Sequence, residues 1–285
     1  QLRFLKKYEY KKNLVATPYW DSNFLFKNFG KIDIYDVTED FSEVDEKKDF
    51  KMKQISLNDY FLTKIASNVV CSSTLLFSNK RNLNKNVFLI QNGIDIELFR
   101  KEQKSFDFRE QLKLSKDSVL LGYSGDTNIR FDWNLIKEVL SLEKRIVLLV
   151  IGKISSRNKK IKRVISLGEW PYNKVPFFLK NIDICIVPHK IDNFSNSMSP
   201  LKLGEYIALS KPIISTNING ISDLMLDLGI NNKKDLNISC VKDSKAFVKA
   251  IWHSMEKRKV IKSINTINKK SWGKKMYDFE RILFS

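Results

Sequence analysis

Ten short runs rich in β-branched and aliphatic residues alternate with longer stretches at helical spacing, and few folds accommodate that alternation. The first four runs are Asn13–Thr17, Ile32–Val37, Asn68–Ser72 and Val87–Gln91. The other six are Val119–Tyr123, Ile146–Ile151, Arg163–Leu167, Ile182–Val187, Pro212–Thr216 and Asn237–Val241. Between them, Leu57–Ser67, Phe131–Glu143, Leu201–Leu209 and Ser244–Lys257 read as helices; in the last, Phe247, Ile251 and Met255 recur every four residues on one face. Continuous apolar runs are what strands need when helices cover both faces of a sheet, so the expected class is α/β with parallel sheets.

A polar, charged interval, Arg100–Asp117, interrupts the pattern, and the runs begin afresh after it. This predicts two Rossmann-like domains, over residues 1–105 and 106–270, with a C-terminal helix over 271–285 crossing back to the first. At roughly 100–200 residues per domain, a chain of 285 residues holds two cores. Four strand candidates are few for the first domain, and position 1 is Gln, so that domain is expected to be incomplete, its opening strands missing.

Fifty Lys+Arg against 32 Asp+Glu leave a net charge of +18, which attracts nucleic acid, acidic lipid or a phosphorylated small molecule. The basic clusters at Lys101–Lys104, Arg157–Arg163, Lys257–Lys262 and Lys269–Lys275 lack regularly interleaved aromatics for base stacking, which disfavours nucleic acid. A solvated lysine-rich surface is the plainest reading and an anionic membrane face the next. Cys71, Cys185 and Cys240 are odd in number, far apart and set in apolar runs. They read as core thiols of a reducing compartment. His189 and His253 have no metal-ligand spacing and no serine lies in a Gly-x-Ser-x-Gly context, which argues against a metalloenzyme and a serine hydrolase. No run approaches the ~20 apolar residues of a membrane span, and the start lacks a signal peptide's long apolar stretch. The expectation is a soluble or peripheral protein.

Three segments carry candidate chemistry. In Ile186–Ser215 a strand leads through a polar loop into a helix for which Ser199 is a candidate N-cap and Pro200 the first helical residue. The first-turn N–H groups with Lys202 suit a diphosphate, and Glu205 suits a pair of ribose hydroxyls. The same residues also read as a capped helix with a Lys–Glu surface pair. In Leu120–Ile136 a strand ends in Gly122 and Gly125 before a helix opening near Asp132; such glycines let backbone approach a phosphate, and Arg130 offers a fixed fork, or a surface ion pair. In Leu167–Pro188, Trp170 and Tyr172 either flank a nucleobase or pack their own loop.

Taken in order, Asn92-Gly93-Ile94-Asp95 with Phe99, Gly122-Tyr123-Ser124-Gly125, Trp170-Pro171-Tyr172 with Val175-Pro176, and Ser199-Pro200-Leu201-Lys202-Leu203-Gly204-Glu205 with Lys211-Pro212 resemble the landmarks of retaining glycosyltransferases of family 4. That family has the GT-B fold, two Rossmann-like domains facing a cleft. The resemblance runs from Ile32 to the C-terminus, where Ser271-Trp272 precedes a final amphipathic helix. It looks closest to transferases of teichuronic-acid and exopolysaccharide pathways, whose strand-end Tyr-Asp and following acidic segment resemble Tyr35-Asp36 and Glu39-Asp40-Phe41-Ser42.

The resemblance implies a retaining, metal-independent, hexosyl-type transfer from a nucleotide-diphosphate sugar to a glycan or lipid-linked acceptor in cell-surface polysaccharide synthesis. The donor is a co-substrate, and no cofactor is implied. The expected donor-binding set is Ser124, Gly125, Arg130, Lys153, Trp170, Tyr172, Asn196, Ser197, Ser199, Lys202 and Glu205, with Glu205 on the ribose. Asp40 is the catalytic candidate, orienting or deprotonating the acceptor, or else capping the next helix. The expected location is cytoplasmic, peripheral on the anionic inner face of the cell membrane. Three features depart from the family pattern, the first being that the Arg and Lys that follow its glycine turn and clamp the diphosphate are represented only by Arg130 and by Lys153 or Lys202. The first of its two glutamates, eight positions apart, falls at Ser197, and its histidine near the reacting sugar is replaced by the segment Thr38–Asp40. The missing glutamate keeps open a non-catalytic nucleotide-sugar or polyanion binding protein.

Overall fold

The structure, a computed structural model, describes residues 15–19, 27, 31–40, 50–257 and 265–284; side chains of 50–52, 233, 234, 257 and 265 are not among those described. Phe41, Ser42, the basic start of the chain and most of the Lys257–Lys262 cluster lie outside the described residues. Each of the ten expected runs coincides with a strand, β5 running one residue past its run: β1 Val15–Ala16, β2 Ile34–Val37, β3 Asn68–Cys71, β4 Val87–Leu89, β5 Val119–Ser124, β6 Ile146–Ile151, β7 Val164–Ser166, β8 Ile184–Val187, β9 Ile213–Thr216 and β10 Ile238–Val241. They form two sheets, both wholly parallel.

The chain divides into two compact units. The first comprises residues up to Asn92 with Ser197–Ser199 and Gly273 onward; the second comprises Gly93–Asn196 and Pro200–Trp272. The division falls before the polar interval that the sequence marks, because Ile94, Ile96, Phe99 and Phe108 are buried in the core of the second unit. Within that interval Asp107 caps a short helix, Phe108–Gln111, and the Arg109 guanidinium binds the Asp183 carboxylate and the Ser118 carbonyl.

In the first unit the sheet order is β1-β2-β3-β4, with helix α1 (Phe50–Ile65) leading from β2 to β3 and α2 (Thr74–Lys80) from β3 to β4. Ser73 caps α2, its hydroxyl accepting from the Leu76 N–H at 3.2 Å. Ala16, Ile32, Tyr35, Val37, Leu62, Val69, Cys71 and Leu76 form the core. Into it α1 brings a charge: Asp59 is 4% exposed and pairs with Lys80, 6% exposed. The Tyr35 hydroxyl donates to the other Asp59 oxygen at 2.6 Å. Burial, then the Asp59 charge, pushes the Tyr35 pKa up, which keeps the hydroxyl a donor. A buried pair survives when its remaining lone pairs are satisfied, as both Asp59 oxygens are here.

In the second unit the order is β10-β9-β8-β5-β6-β7, that of doubly wound nucleotide-binding sheets, with the reversal between β5 and β8. Alternate residues of each strand serve two cores. Val147, Leu149 and Ile151 of β6 face Tyr206, Ile207 and Phe178, whereas Ile146, Leu148 and Val150 face Ile136, Val139, Phe247 and Ile251. The covering helices are α3 (Trp133–Leu142), α4 (Val175–Lys180), α5 (Leu201–Ala208), α6 (Asn219–Leu228) and α7 (Ser244–Lys257). Asp132 caps α3, its Oδ1 accepting from the Asn134 and Leu135 N–H groups at 3.0 Å each. Gly122 is not part of a phosphate turn: it lies within β5, where a Cβ would stand 2.7 Å from Ile182 Cγ2. None of the three cysteines forms a disulfide among the described residues; Cys71 and Cys185 are buried, but Cys240, at the edge strand β10, is only half-buried.

Lys80→Met leaves the Asp59 carboxylate buried without its cation. It is expected to cost about 3–5 kcal/mol in urea unfolding, part of which Asp59→Asn in the same chain recovers.

Candidate functional site

A parallel sheet gathers its loops at the C-terminal ends of its strands, and where strand order reverses the loops part to leave a crevice. In the second unit a cleft of about 300 Å³ opens there, lined by Ser124, Gly125, Asp126, Ile151, Gly152, Glu169, Trp170, Tyr172, Val175, Leu201, Lys202 and Glu205.

Its floor is backbone. Gly125 follows β5 with φ +119° and Gly152 follows β6 with φ +128°, and a Cβ at Gly152 would come within 2.4 Å of the Gly125 carbonyl oxygen. The Gly125 N–H donates to the Ile151 carbonyl at 2.7 Å, locking the two turns together. Lys202 reaches over this turn: a Cβ at Gly125 would stand 3.0 Å from its Nζ, which also lies 5.1 Å from the Tyr123 ring centroid.

Glu205 is 6% exposed. The surface Lys–Glu pair is thereby excluded: α5 turns this carboxylate inward, where the Tyr172 hydroxyl donates to its Oε1 at 3.0 Å. Burial raises the Glu205 pKa, opposed by the Lys202 charge and the Tyr172 hydrogen bond. Tyr172 is itself pushed up by burial and by Glu205, so it remains a donor. Behind them the Tyr206 hydroxyl accepts from the Ser124 N–H at 3.4 Å.

The start of α5 differs from expectation. Its N-cap position is Pro200, with ψ 114°, and no side chain caps it. The Ser199 carbonyl instead accepts from Asn92 Nδ2 at 3.0 Å, which ties Ser199 to the first unit. The helix therefore starts one residue later than the proline rule implies, with no capping side chain over its first turn.

Of the expected donor-binding residues, Ser124, Gly125, Trp170, Tyr172, Lys202 and Glu205 meet in the cleft. Trp170 also packs its own loop, its Nε1 donating to the Leu167 carbonyl at 3.0 Å and its ring lying against Phe177 and Phe178. Lys153 adjoins two cleft residues: its N–H donates to Asp126 Oδ1 at 2.9 Å and its ammonium lies 3.6 Å from Glu169. Arg130 lies away from the lining, stacked 4.3 Å over the Phe194 ring. Asn196 Oδ1 accepts from the Asn219 N–H at the start of α6, at 3.1 Å. Ser197 belongs with the first unit, its Oγ accepting from the Asp40 N–H at 3.3 Å and its carbonyl from the Ser73 hydroxyl at 2.6 Å. Asp40 is buried, with Oδ2 accepting from Asn79 Nδ2 at 3.3 Å. It lines a second cavity, of about 340 Å³, with Ser56, Asp59, Tyr60, Asn79, Lys80, Asn82 and Leu83.

Gly152 escaped the sequence reading, and His189 was weighed there only as a metal ligand. Gly152 closes β6 as Gly125 closes β5, and a strand-end glycine at Ile151-Gly152 was the available signal. His189, just past β8, is pushed down to about 3 by burial and by the charges of Lys202 and Arg130, so its imidazole is neutral. Its Nδ1 has no hydrogen-bond partner among the described residues.

Comparison with known proteins agrees with this architecture. Residues 121–257, which lie within the second unit, match the model of the family of glycosyl transferases group 1, and the parallel α/β fold is that of the GT-B glycosyltransferases. The chain is also similar to a Bacillus subtilis protein named as a teichuronic acid biosynthesis glycosyltransferase, TuaH. They are 25% identical over 187 residues, 62% of this chain and 47% of that protein. The chain thus spans about half the length of the curated relative it matches. Among solved structures, Anabaena HepE in complex with UDP-glucose superposes with a TM-score of 0.66 at 14% identity, covering 88% of this chain and 71% of that one. Sucrose-phosphate synthase from Thermosynechococcus elongatus gives 0.64 at 15% identity, covering 99% and 71%. A glycosyltransferase from Rickettsia africae gives 0.58 at 16% identity, covering 99% and 86%.

Two outcomes are expected at this site. Gly152→Ala, which both strains a positive φ and drives a methyl into the Gly125 carbonyl, destabilises the protein by roughly 2–4 kcal/mol in denaturant unfolding. Glu205→Gln does the opposite. Because the folded-state pKa of Glu205 lies above its unfolded value, the ionised form is a cost to the fold that is relieved as pH falls. The amide variant therefore melts above the parent at pH 8, and calorimetry shows the gap narrowing towards pH 5.

Proposed function

We propose that this chain transfers a sugar from a nucleotide-diphosphate sugar, held mainly by the second unit, to a glycan or lipid-linked acceptor bound against the first, in the synthesis of a cell-surface polysaccharide. The observation that carries this reading is the convergence of a buried carboxylate, an ammonium group and a glycine-built floor in one cleft at the strand reversal. Glu205, braced by Tyr172, accepts hydrogen bonds from the two ribose hydroxyls of the donor. Lys202 and the first-turn N–H groups of α5 face the diphosphate, whose charge grows as the glycosidic bond to the leaving phosphate breaks. Gly125 and Gly152 let the ligand approach the backbone without a side chain in between. Lys153 beside the cleft and Arg130 farther off add positive charge on the same unit, and Trp170 supplies an aromatic wall.

In the same reading the transfer is of the retaining, hexosyl type, needs no bound metal or resident cofactor, and takes place at the cytoplasmic face of the membrane. Asp40 orients the acceptor hydroxyl or takes its proton, in a cavity whose other polar side chains suit a polyhydroxylated group. One observation favours the non-catalytic alternative: Ser197, where the family pattern has its first glutamate, is a short hydroxyl bonded to the Asp40 N–H.

The test is a thermal-shift screen of nucleotide-diphosphate sugars, followed by a transfer assay. One donor is expected to stabilise the wild type, and Glu205→Ala is expected to weaken that donor by roughly 10–100-fold, the worth of hydrogen bonds to a charged group. A donor bound without turnover when acceptor is supplied would select the binding protein, and no shift with any donor would overturn the reading.

A further inference from the structure

Between Glu143 and Glu169 the sequence holds eight Lys and Arg and no Asp or Glu. Three of the eight have local partners or lie away from the cleft. Arg145 pairs with Glu143 and lies 4.1 Å over the Trp252 ring, half-buried Arg163 donates to the carbonyls of Leu140, Glu143 and Ile146, and Lys144 precedes β6 at the far end of that strand. The other five, Lys153, Arg157, Lys159, Lys160 and Lys162, are exposed on the connection from β6 to β7. That connection is anchored. Ile154 and Ile161 turn into the core beneath α3, and Ser155 caps a single helical turn, Ser156–Lys159, its hydroxyl accepting from the Asn158 N–H at 3.4 Å. With its apolar residues held inward, the segment presents its cations to solvent. Lys153 meets the Glu169 carboxylate, and none of the other four pairs with an acid among the described residues.

The cleft has no such excess of its own. Its lining sets three carboxylates, Asp126, Glu169 and Glu205, against one ammonium, that of Lys202, and Lys153 beside it offsets one of the three. The lining side chains therefore hold an anion by close contacts and do not draw one in from a distance. The long-range attraction lies to one side, on the connection that starts at Lys153. Arg157 is four residues beyond Lys153, so their Cα atoms are no more than about 15 Å apart. The Debye length is about 30 Å at 0.01 M salt and about 3 Å at 1 M, so the field of these cations covers the mouth of the cleft in dilute salt and not in concentrated salt.

Charge is all that this surface offers. From Lys153 to Arg163 the sequence has no aromatic residue on which a base could stack, and no large apolar side chain there is exposed to anchor a docked partner. Charge without such anchors attracts at a distance and does not hold, which is the property of a surface that steers a small ion into a neighbouring site. We propose that the β6–β7 connection is the capture surface for the anionic donor: Arg157, Lys159, Lys160 and Lys162 draw the nucleotide-diphosphate sugar to the β7 side of the cleft, and Lys153 passes it to Lys202. The inference rests on the donor reading and adds the side from which the donor arrives and the charges that set its rate of arrival.

The test is stopped-flow tryptophan fluorescence of the full chain, Trp170 reporting from the cleft wall, with the tightest-binding of UDP, GDP, ADP and dTDP as the probe. In about 0.01 M salt, Arg157→Glu with Lys160→Glu should lower the association rate by about fivefold or more and leave dissociation within about twofold; in about 1 M salt the variant should match the parent. Both residues are exposed, so the melting temperature should stay at the wild-type value. Lys245→Glu with Lys249→Glu, exposed on α7 behind β10 at the opposite edge of the sheet from β7, makes the same change of charge and should leave association within about twofold. The assignment is overturned if the Arg157 and Lys160 variant associates like the parent in dilute salt, if its loss lies in dissociation, or if the α7 control loses as much. Single-stranded DNA bound by the wild type and released by the same variant, with the diphosphate rate unchanged, would also overturn it and give the surface to a polymer. Failure of the donor reading looks different: no diphosphate binds even in about 1 M salt, or Glu205→Ala binds it as tightly as the parent.

Discussion

Two main-chain turns touch with no side chain between them where β5 and β6 end, and the candidate site of the second unit is built on that contact. Gly125 and Gly152 both adopt positive φ, and the hydrogen bond from Gly125 to Ile151 holds them together. The absence of side chains there gives the cleft a floor of backbone over which Lys202 can lie and on which Glu205 can close from α5. A Cβ at Gly152 would run into the Gly125 carbonyl, and one at Gly125 would press on the end of Lys202.

Above this floor, stability is set against binding. A carboxylate in the position of Glu205 is costly to ionise, and the fold bears the cost because Tyr172 and Lys202 offset part of it. His189 shows the same environment acting on a base: burial and two nearby cations keep it neutral. Burial is the main cause of both shifts, and charges removed from water interact more strongly than exposed ones.

The first unit solves a different problem. Its Asp59–Lys80–Tyr35 network ties α1 and α2 to the sheet, and in doing so it dictates which face of α1 turns outward. Leu57, Tyr60, Phe61 and Ile65 of α1 are exposed while Asn58, Asp59 and Thr63 are buried. Packing of apolar residues alone would have favoured the opposite rotation, so a buried ion pair here decides orientation more than it adds stability.

The strands and most helices were legible in the sequence, because strands buried on both faces have to be continuous apolar runs and because Phe247, Ile251 and Met255 mark one side of a helix without ambiguity. Asp132 likewise announced the start of α3. Glu205, Lys202 and Tyr172 could be singled out by type and spacing, but their alternatives stayed open, since spacing does not say whether a carboxylate faces water or a cleft. Three matters were settled only by tertiary structure. Ile94 and Phe99 joined the second core and moved the boundary to Asn92, Gly152 became the partner of Gly125, and α1 turned its apolar residues outward. Local sequence sets periodicity, caps and backbone preference. Burial and pairing depend on residues brought together from distant positions, such as Lys80 beneath Asp59 or Tyr172 against Glu205, and only the assembled chain can decide them.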